Sequence, residues 1–214
     1  MSEVLHLAAF GIGIAQVRIA PGALDLTFYG GADHGAGVCR RTYRATGDLR
    51  EKGTFHLSEA GLDMAITRCS PYSFNLAVER GGQPVAKGLA LTDRDDPQAL
   101  MVAWWTGETQ PYGVVKYSIR DPETIIGYYI SKMTPDVPGE DIVIGSTADG
   151  FRGNFVLNSL EAGGRTWGPH YWTVSQRGRI TDITWEEHGR IFCRGFGMID
   201  PQDSGSIIAT YIPV

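Results

Sequence analysis

The sequence predicts an all-β fold made of two tandem eight-stranded antiparallel up-and-down β-barrels that arose by internal duplication. Three observations carry that expectation. Residues 11–105 and 112–212 align on one another. Short runs rich in β-branched and aromatic residues recur between turn residues at the spacing of a sandwich or barrel. No stretch sustains a helical apolar stripe, and the nearest, Ser58 to Ala65, is broken by Gly61.

The duplication is clearest near the end of each half, where Gly88-Leu-Ala-Leu-Thr-Asp93 through Asp96 to Trp104 falls without a gap on Gly195-Phe-Gly-Met-Ile-Asp200 through Asp203 to Tyr211, an offset of 107. The same offset places Glu79 and Gly82 on Glu186 and Gly189. Further upstream it falls to 100, with Gly53-Thr-Phe55-His-Leu57 on Gly153-Asn-Phe155-Val-Leu157, which implies seven residues inserted before Tyr171, around Glu161 to His170. At the start of each half an offset of 101 sets Val17 to Leu24 on Ser118 to Ile125. The expected domains are residues 1–107 and 108–214.

In the second copy strands are expected near 112–120, 124–132, 141–147, 151–158, 169–175, 179–186, 190–198 and 206–212, and the first copy yields as many. Ala20-Pro21-Gly22 and Asp121-Pro122-Glu123 fit Pro-led turns, while Gly81-Gly82 and His188-Gly189 supply the positive φ of tight hairpins. Sequential strands joined by tight turns form a meander, and closing each meander into a barrel removes its two exposed edges. The alternative is that the two meanders merge into one larger sheet. The closing strands Ala99–Trp105 and Ser206–Ile212 are apolar on both faces, so each needs cover outside as well as inside. Either copy packs on copy, or the outer faces make a homo-oligomer.

The succession of Gly-x-Phe-x-Leu, a Tyr/Trp-bearing strand, a Gly-punctuated hairpin and an Ile/Val-rich closing strand resembles lipocalin-like and avidin-like, calycin-type barrels. The likeness is one of pattern. It implies a lumen that is either packed with side chains or shaped for one small ligand.

Composition narrows the function classes. A net charge of −5 and the lack of any basic cluster argue against a nucleic-acid partner. No segment approaches the about 20 apolar residues of a membrane-spanning helix, and the start of the chain carries Glu3 rather than the positive charge of a secretory signal, so a cytoplasmic protein is expected. Cys39, Cys69 and Cys193 show no CxxC pairing, and His6, His34, His56, His170 and His188 show no metal-ligand spacing, so no metal and no cofactor are expected. Gly30 to Gly37 is glycine-rich but lacks the Lys-Ser/Thr of a phosphate loop. The repeated Asp93/Asp96 and Asp200/Asp203 suit Asx turns better than a calcium site.

The candidate site is the aromatic concentration in the second copy: Trp167, His170, Tyr171, Trp172 and Trp185, with Glu186 beside it. The first copy has Leu62-Asp-Met-Ala-Ile there and no tryptophan. Such side chains either clasp a ring-shaped ligand or simply fill the core. Because successive strand residues point to opposite faces, His170, Trp172 and Val174 share one side and Tyr171 and Thr173 the other, and only one set can enter a lumen. A small apolar or aromatic ligand in the second barrel is the leading expectation. The alternatives are an assembly module with filled barrels and a lipocalin-like isomerase or lyase.

Overall fold

Strand order follows from hairpin after hairpin. The computed structural model describes residues 11–30, 38–44, 52–57, 61–161 and 163–214. In the first repeat the strands are β1 (Ile12–Ala20), β2 (Ala23–Gly30), β3 (Cys39–Arg44), β4 (Lys52–Leu57), β5 (Leu62–Arg68), β6 (Ser73–Arg80), β7 (Gln83–Thr92) and β8 (Ala99–Trp105). In the second they are β9 (Gly113–Asp121), β10 (Thr124–Ser131), β11 (Thr134–Ile144), β12 (Gly153–Leu160), β13 (Thr166–Arg177), β14 (Ile180–Glu187), β15 (Arg190–Ile199) and β16 (Ser206–Pro213). Every pairing is antiparallel, and among the described residues there is no helix. The glycine-rich segment 31–37 and the start of Ser58 to Ala65 lie outside the described residues, while Leu62 onward is β5.

The second repeat is a closed barrel, β16 pairing back on β9, whereas the first has the order β3-β2-β1-β8-β7-β6-β5-β4 and is nearly closed. There β3 and β4 touch without a ladder between them among the described residues. The outer β3 carries the exposed Arg40, Arg41 and Arg44, charges of the kind that discourage an edge from pairing with another chain. The expected tight turns are present: His188 and Gly189 sit at φ 51° and 76°, and Gly81 and Gly82 at 57° and 77°. Two such residues in a row match the right-handed twist of the strands they join.

Register refines the duplication. Leu24 pairs with Ile19, but its counterpart Ile125 pairs with Ile119, because a bulge adds Arg120 to β9. The offset of 101 therefore holds from the Pro turn onward and falls to 100 upstream, which puts Gln16 on Lys116 and Val17 on Tyr117. The insertion before Tyr171 is likewise eight residues rather than seven: Phe55 faces Met64, whereas Phe155 faces Trp172. The turn after β5 is one residue longer than its counterpart and restores 107. Such one-residue errors matter, since each flips a strand's side chains to the other face.

Three apolar clusters result. One fills the first barrel, built around Val17, Leu24, Phe55, Leu57, Ile66, Leu76 and Val102. A second lines the other barrel, and the third lies between the repeats, where Ile12, Ile14, Leu89, Leu91, Met101 and Ala103 meet Val114, Tyr128, Ile130, Phe196, Met198 and Ile208. The outer faces of β8 and β16 are thus covered within one chain, copy packed on copy.

A buried polar cluster sits in that contact. Lys116 Nζ lies 2.7 Å from Asp93 and 3.3 Å from Asp200, which also accepts a 3.0 Å hydrogen bond from Gln16 Nε2. Burial by itself would lower the Lys116 pKa, but its hydrogen bond to Asp93 and the charges of Asp93 and Asp200 together outweigh that and raise it. The Asx turns expected at Asp93 and Asp200 are also present, each accepting from the backbone N–H two residues on. Near the rim of the contact Arg94 pairs with Glu140 at 2.6 Å and stands 3.7 Å from the Tyr128 ring centroid.

Candidate ligand-binding site in the second barrel

The site begins as one row of residues across four neighbouring strands. Tyr117 on β9 is paired with Gly127 on β10, Gly127 with Asp141 on β11, and Asp141 with Ser159 on β12. All four belong to the lumen face. Having no side chain, Gly127 lets the Tyr117 ring lie across it, so that the phenol donates a 2.7 Å hydrogen bond to Asp141 Oδ2. From the other side Ser159 Oγ donates to Asp141 Oδ1 at 2.5 Å.

A cavity of about 350 Å³ opens beside this row, at the mouth of the barrel. Its walls include Tyr112, Tyr129, Tyr211, Trp167, Trp185, His170, Phe192 and Cys193 besides Tyr117, Asp141 and Ser159 of the row. That volume is within the range of about 300–1,000 Å³ found for small-molecule pockets. A chain of ring contacts runs inward from it: Tyr112 to Tyr211 at 5.6 Å, Tyr211 to Trp185 at 5.3 Å, Trp185 to Trp172 at 6.5 Å, and Trp172 to Tyr117 at 4.7 Å.

Burial sets the electrostatics. Asp141 is 5% exposed, and desolvation pushes its carboxyl up to about 6 against the opposing pull of the Ser159 and Tyr117 hydrogen bonds. Among the described residues no cation lies within ion-pair distance of it. Burial, with the Asp141 charge adding to it, raises Tyr117, Tyr129 and Tyr211 well above an ordinary phenol. Cys193 is pushed up to about 12 by burial alone, so its thiol stays protonated and acts as the small lumen-facing residue its sequence context suggests.

The sequence-derived candidates divide between the two faces. Strand β13 sends His170, Trp172 and Val174 inward and Tyr171 outward, where it is 62% exposed. Glu186, paired with Tyr171, is half-buried on the same outer side. Trp167 and His170 both line the cavity although three positions separate them, because a bulge between Leu157 and Ser159 shifts the phase of β13. Trp185 lines the cavity, and Trp172 lies fully buried beyond it with its indole Nε1 lacking an acceptor. Three of the six thus meet at the cavity, one backs it, and two are outside.

Tyr117, Asp141, Ser159, Tyr129 and Tyr211 were not singled out by the sequence. The available signal was Gly127 inside Ile125-Ile-Gly-Tyr-Tyr129, since an isolated glycine in a strand often marks a close approach. Register shows what stands at the equivalent places of the first repeat: Val17 for Tyr117, Leu26 for Gly127 and the exposed Arg41 for Asp141, with Met64 for Trp172 and Val78 for Trp185. A Cβ on Gly127 would lie 2.5 Å from the Tyr117 ring and 2.8 Å from Asp141 Cβ. Gly127→Ala should therefore force Tyr117 and Asp141 apart and cost about 1–3 kcal/mol, as overpacking does. Urea unfolding measures the loss, and a change below about 0.5 kcal/mol would mean the row relaxes freely.

Comparison of the chain with protein-family models, with curated proteins and with solved structures finds no match, so the site stands on its own geometry.

Proposed function

We propose that the second barrel binds one small aromatic or apolar ligand at its mouth, and that the first barrel is a filled companion that buries the outer face of the binding barrel. The observation that carries this is the difference between the two lumens: in the first Val17, Leu26, Met64 and Val78 pack with Phe55 and Phe74, whereas in the second Tyr117, Gly127, Trp172 and Trp185 take their places and a cavity of about 350 Å³ opens beside them. Pockets that hold small molecules combine apolar walls with a few polar groups, and Asp141, Tyr117 and Ser159 supply those groups here. The closed eight-stranded meander is compatible with ligand capture in the lipocalin-like or avidin-like manner.

Titration with small ring compounds while following tryptophan emission tests the proposal, because Trp167 and Trp185 line the cavity and Trp172 backs it. Saturable quenching is expected for the parent protein, with affinity at least about tenfold weaker in Trp185→Leu, the loss of one well-packed aromatic contact. A panel of ring compounds that leaves emission unchanged would remove the proposal.

A second reading is favoured by one contact. The Asp141 carboxylate and the Tyr117 hydroxyl, 2.7 Å apart in one cavity, are the minimum for proton transfer to a bound ligand, the isomerase or lyase alternative. Turnover that disappears in Tyr117→Phe while ligand still binds would establish it. The assembly alternative predicts self-association, and sedimentation at rising concentration with a constant monomer mass would count against it.

A further inference from the structure

We propose that the ligand of the second barrel is a protonated amine carried on a small ring, its ammonium group held by Asp141. This rests on the proposed binding function and names the chemical class. A buried carboxylate without a cation is costly, and the usual remedy is an ion pair. Asp141 has none among the described residues, and each of its oxygens accepts a single hydrogen bond, from Ser159 and from Tyr117. An ionised carboxylate offers about four acceptor positions, so capacity remains for a donor arriving through the cavity. The ammonium group supplies both the donors and the charge.

The walls fit the same cation. Tyr129, Tyr211, Trp185 and Tyr112 line the same cavity as Asp141, and aromatic faces attract ammonium groups most strongly where water is excluded. The titratable groups whose charge couples to Asp141 are Tyr117 from β9, Tyr129 from β10 and Tyr211 from β16, all neutral near pH 7. The same cavity is lined by the protonated thiol of Cys193 from β15 and by His170 from β13, whose Nδ1 lies 3.7 Å from Glu187 on β14. Glu161 on the cavity wall adds a second negative charge. Two cations stand against rings of the cavity wall and not against Asp141, Lys132 5.6 Å from the centroid of Tyr112 and Arg165 4.5 Å from that of Trp167. A carboxylate-bearing ligand would meet repulsion, and a neutral one would leave the buried charge without a partner.

Calorimetry with 2-phenylethylamine, 2-phenylethanol and phenylacetate, which share a ring and differ in the charged end, separates these cases. The amine should bind at least about tenfold more tightly than the alcohol, and phenylacetate should bind weakest. Amine affinity should fall about tenfold between pH 7 and pH 5 as Asp141 takes up its proton, since the amine itself stays charged throughout. Asp141→Asn should remove the preference for the amine and keep binding of the alcohol. Equal affinity for amine and alcohol in the parent protein, or a preference that survives in Asp141→Asn, would overturn the amine assignment while leaving a neutral-ligand pocket in place. Failure of all three compounds and of the wider ring panel would overturn both.

Discussion

Lys116→Met should destabilise the protein by about 3–5 kcal/mol, the usual cost of removing one partner from a buried ion pair. The ammonium group is the one positive charge shared by Asp93 and Asp200, both almost fully buried at the contact between the repeats. Methionine fills most of the volume but leaves two carboxylates in an apolar setting, and Gln16 reaches only Asp200. Because the group is shielded from solvent, added salt should change the loss little. The triple variant Lys116→Met, Asp93→Asn, Asp200→Asn should recover most of the stability, since a neutral hydrogen-bonded cluster has no uncompensated charge. Chemical denaturation of the single and triple variants checks both expectations, and a single-variant loss below about 1 kcal/mol would show that water or rearrangement screens the aspartates.

Asp141→Asn should act in the opposite direction and stabilise the unliganded protein at neutral pH. The Asp141 carboxyl titrates near 6 in the folded chain against an ordinary value of 3.8. Between those two values the native state holds a proton that the unfolded chain has released, so stability falls as pH rises through the window and levels off above it. About two pH units correspond to about 3 kcal/mol. The difference in unfolding free energy between Asp141→Asn and the parent should therefore be near zero at pH 3–4, grow through pH 4–6 and stay constant at pH 7–8. A difference independent of pH would mean that Asp141 is not the strained group. Such a gain would be the trade of stability for function expected of the proposed ligand site.

The two variants probe different consequences of the duplication. Gln16 and Lys116 are equivalent positions, as are Asp93 and Asp200, yet only the second copy provides the lysine, so one cation serves two acids across the contact. Val17 and Tyr117 are equivalent in the same way, and the exchange puts a phenol aimed at a buried acid where the first lumen has an aliphatic side chain. Divergence after duplication thus produced an interface in one place and a cavity in the other.

Much of this was legible in the residues. Turn chemistry at Gly81-Gly82 and His188-Gly189, two-faced apolarity in the closing strands and the Asp93/Asp200 turns are local properties, and all are present in the structure. Alternation placed His170 with Trp172 and apart from Tyr171 before either face was known to be the lumen. The aromatic excess marked the barrel in which the cavity lies. It also drew in Tyr171 and Glu186, which lie on the outer wall, because a cluster in sequence is not a cluster on one face.

What the sequence determined by itself is the all-β meander, its eight strands per repeat and the inequality of the two copies, since these depend on short-range preference and period. The tertiary structure alone decided that the second barrel closes while, among the described residues, β3 and β4 form no ladder with each other, and that Tyr117, Gly127, Asp141 and Ser159 form one row. The physical reason is register: a single bulge, at Arg120 or between Leu157 and Ser159, changes which residues face each other across strands, and no local pattern in the chain records that phase.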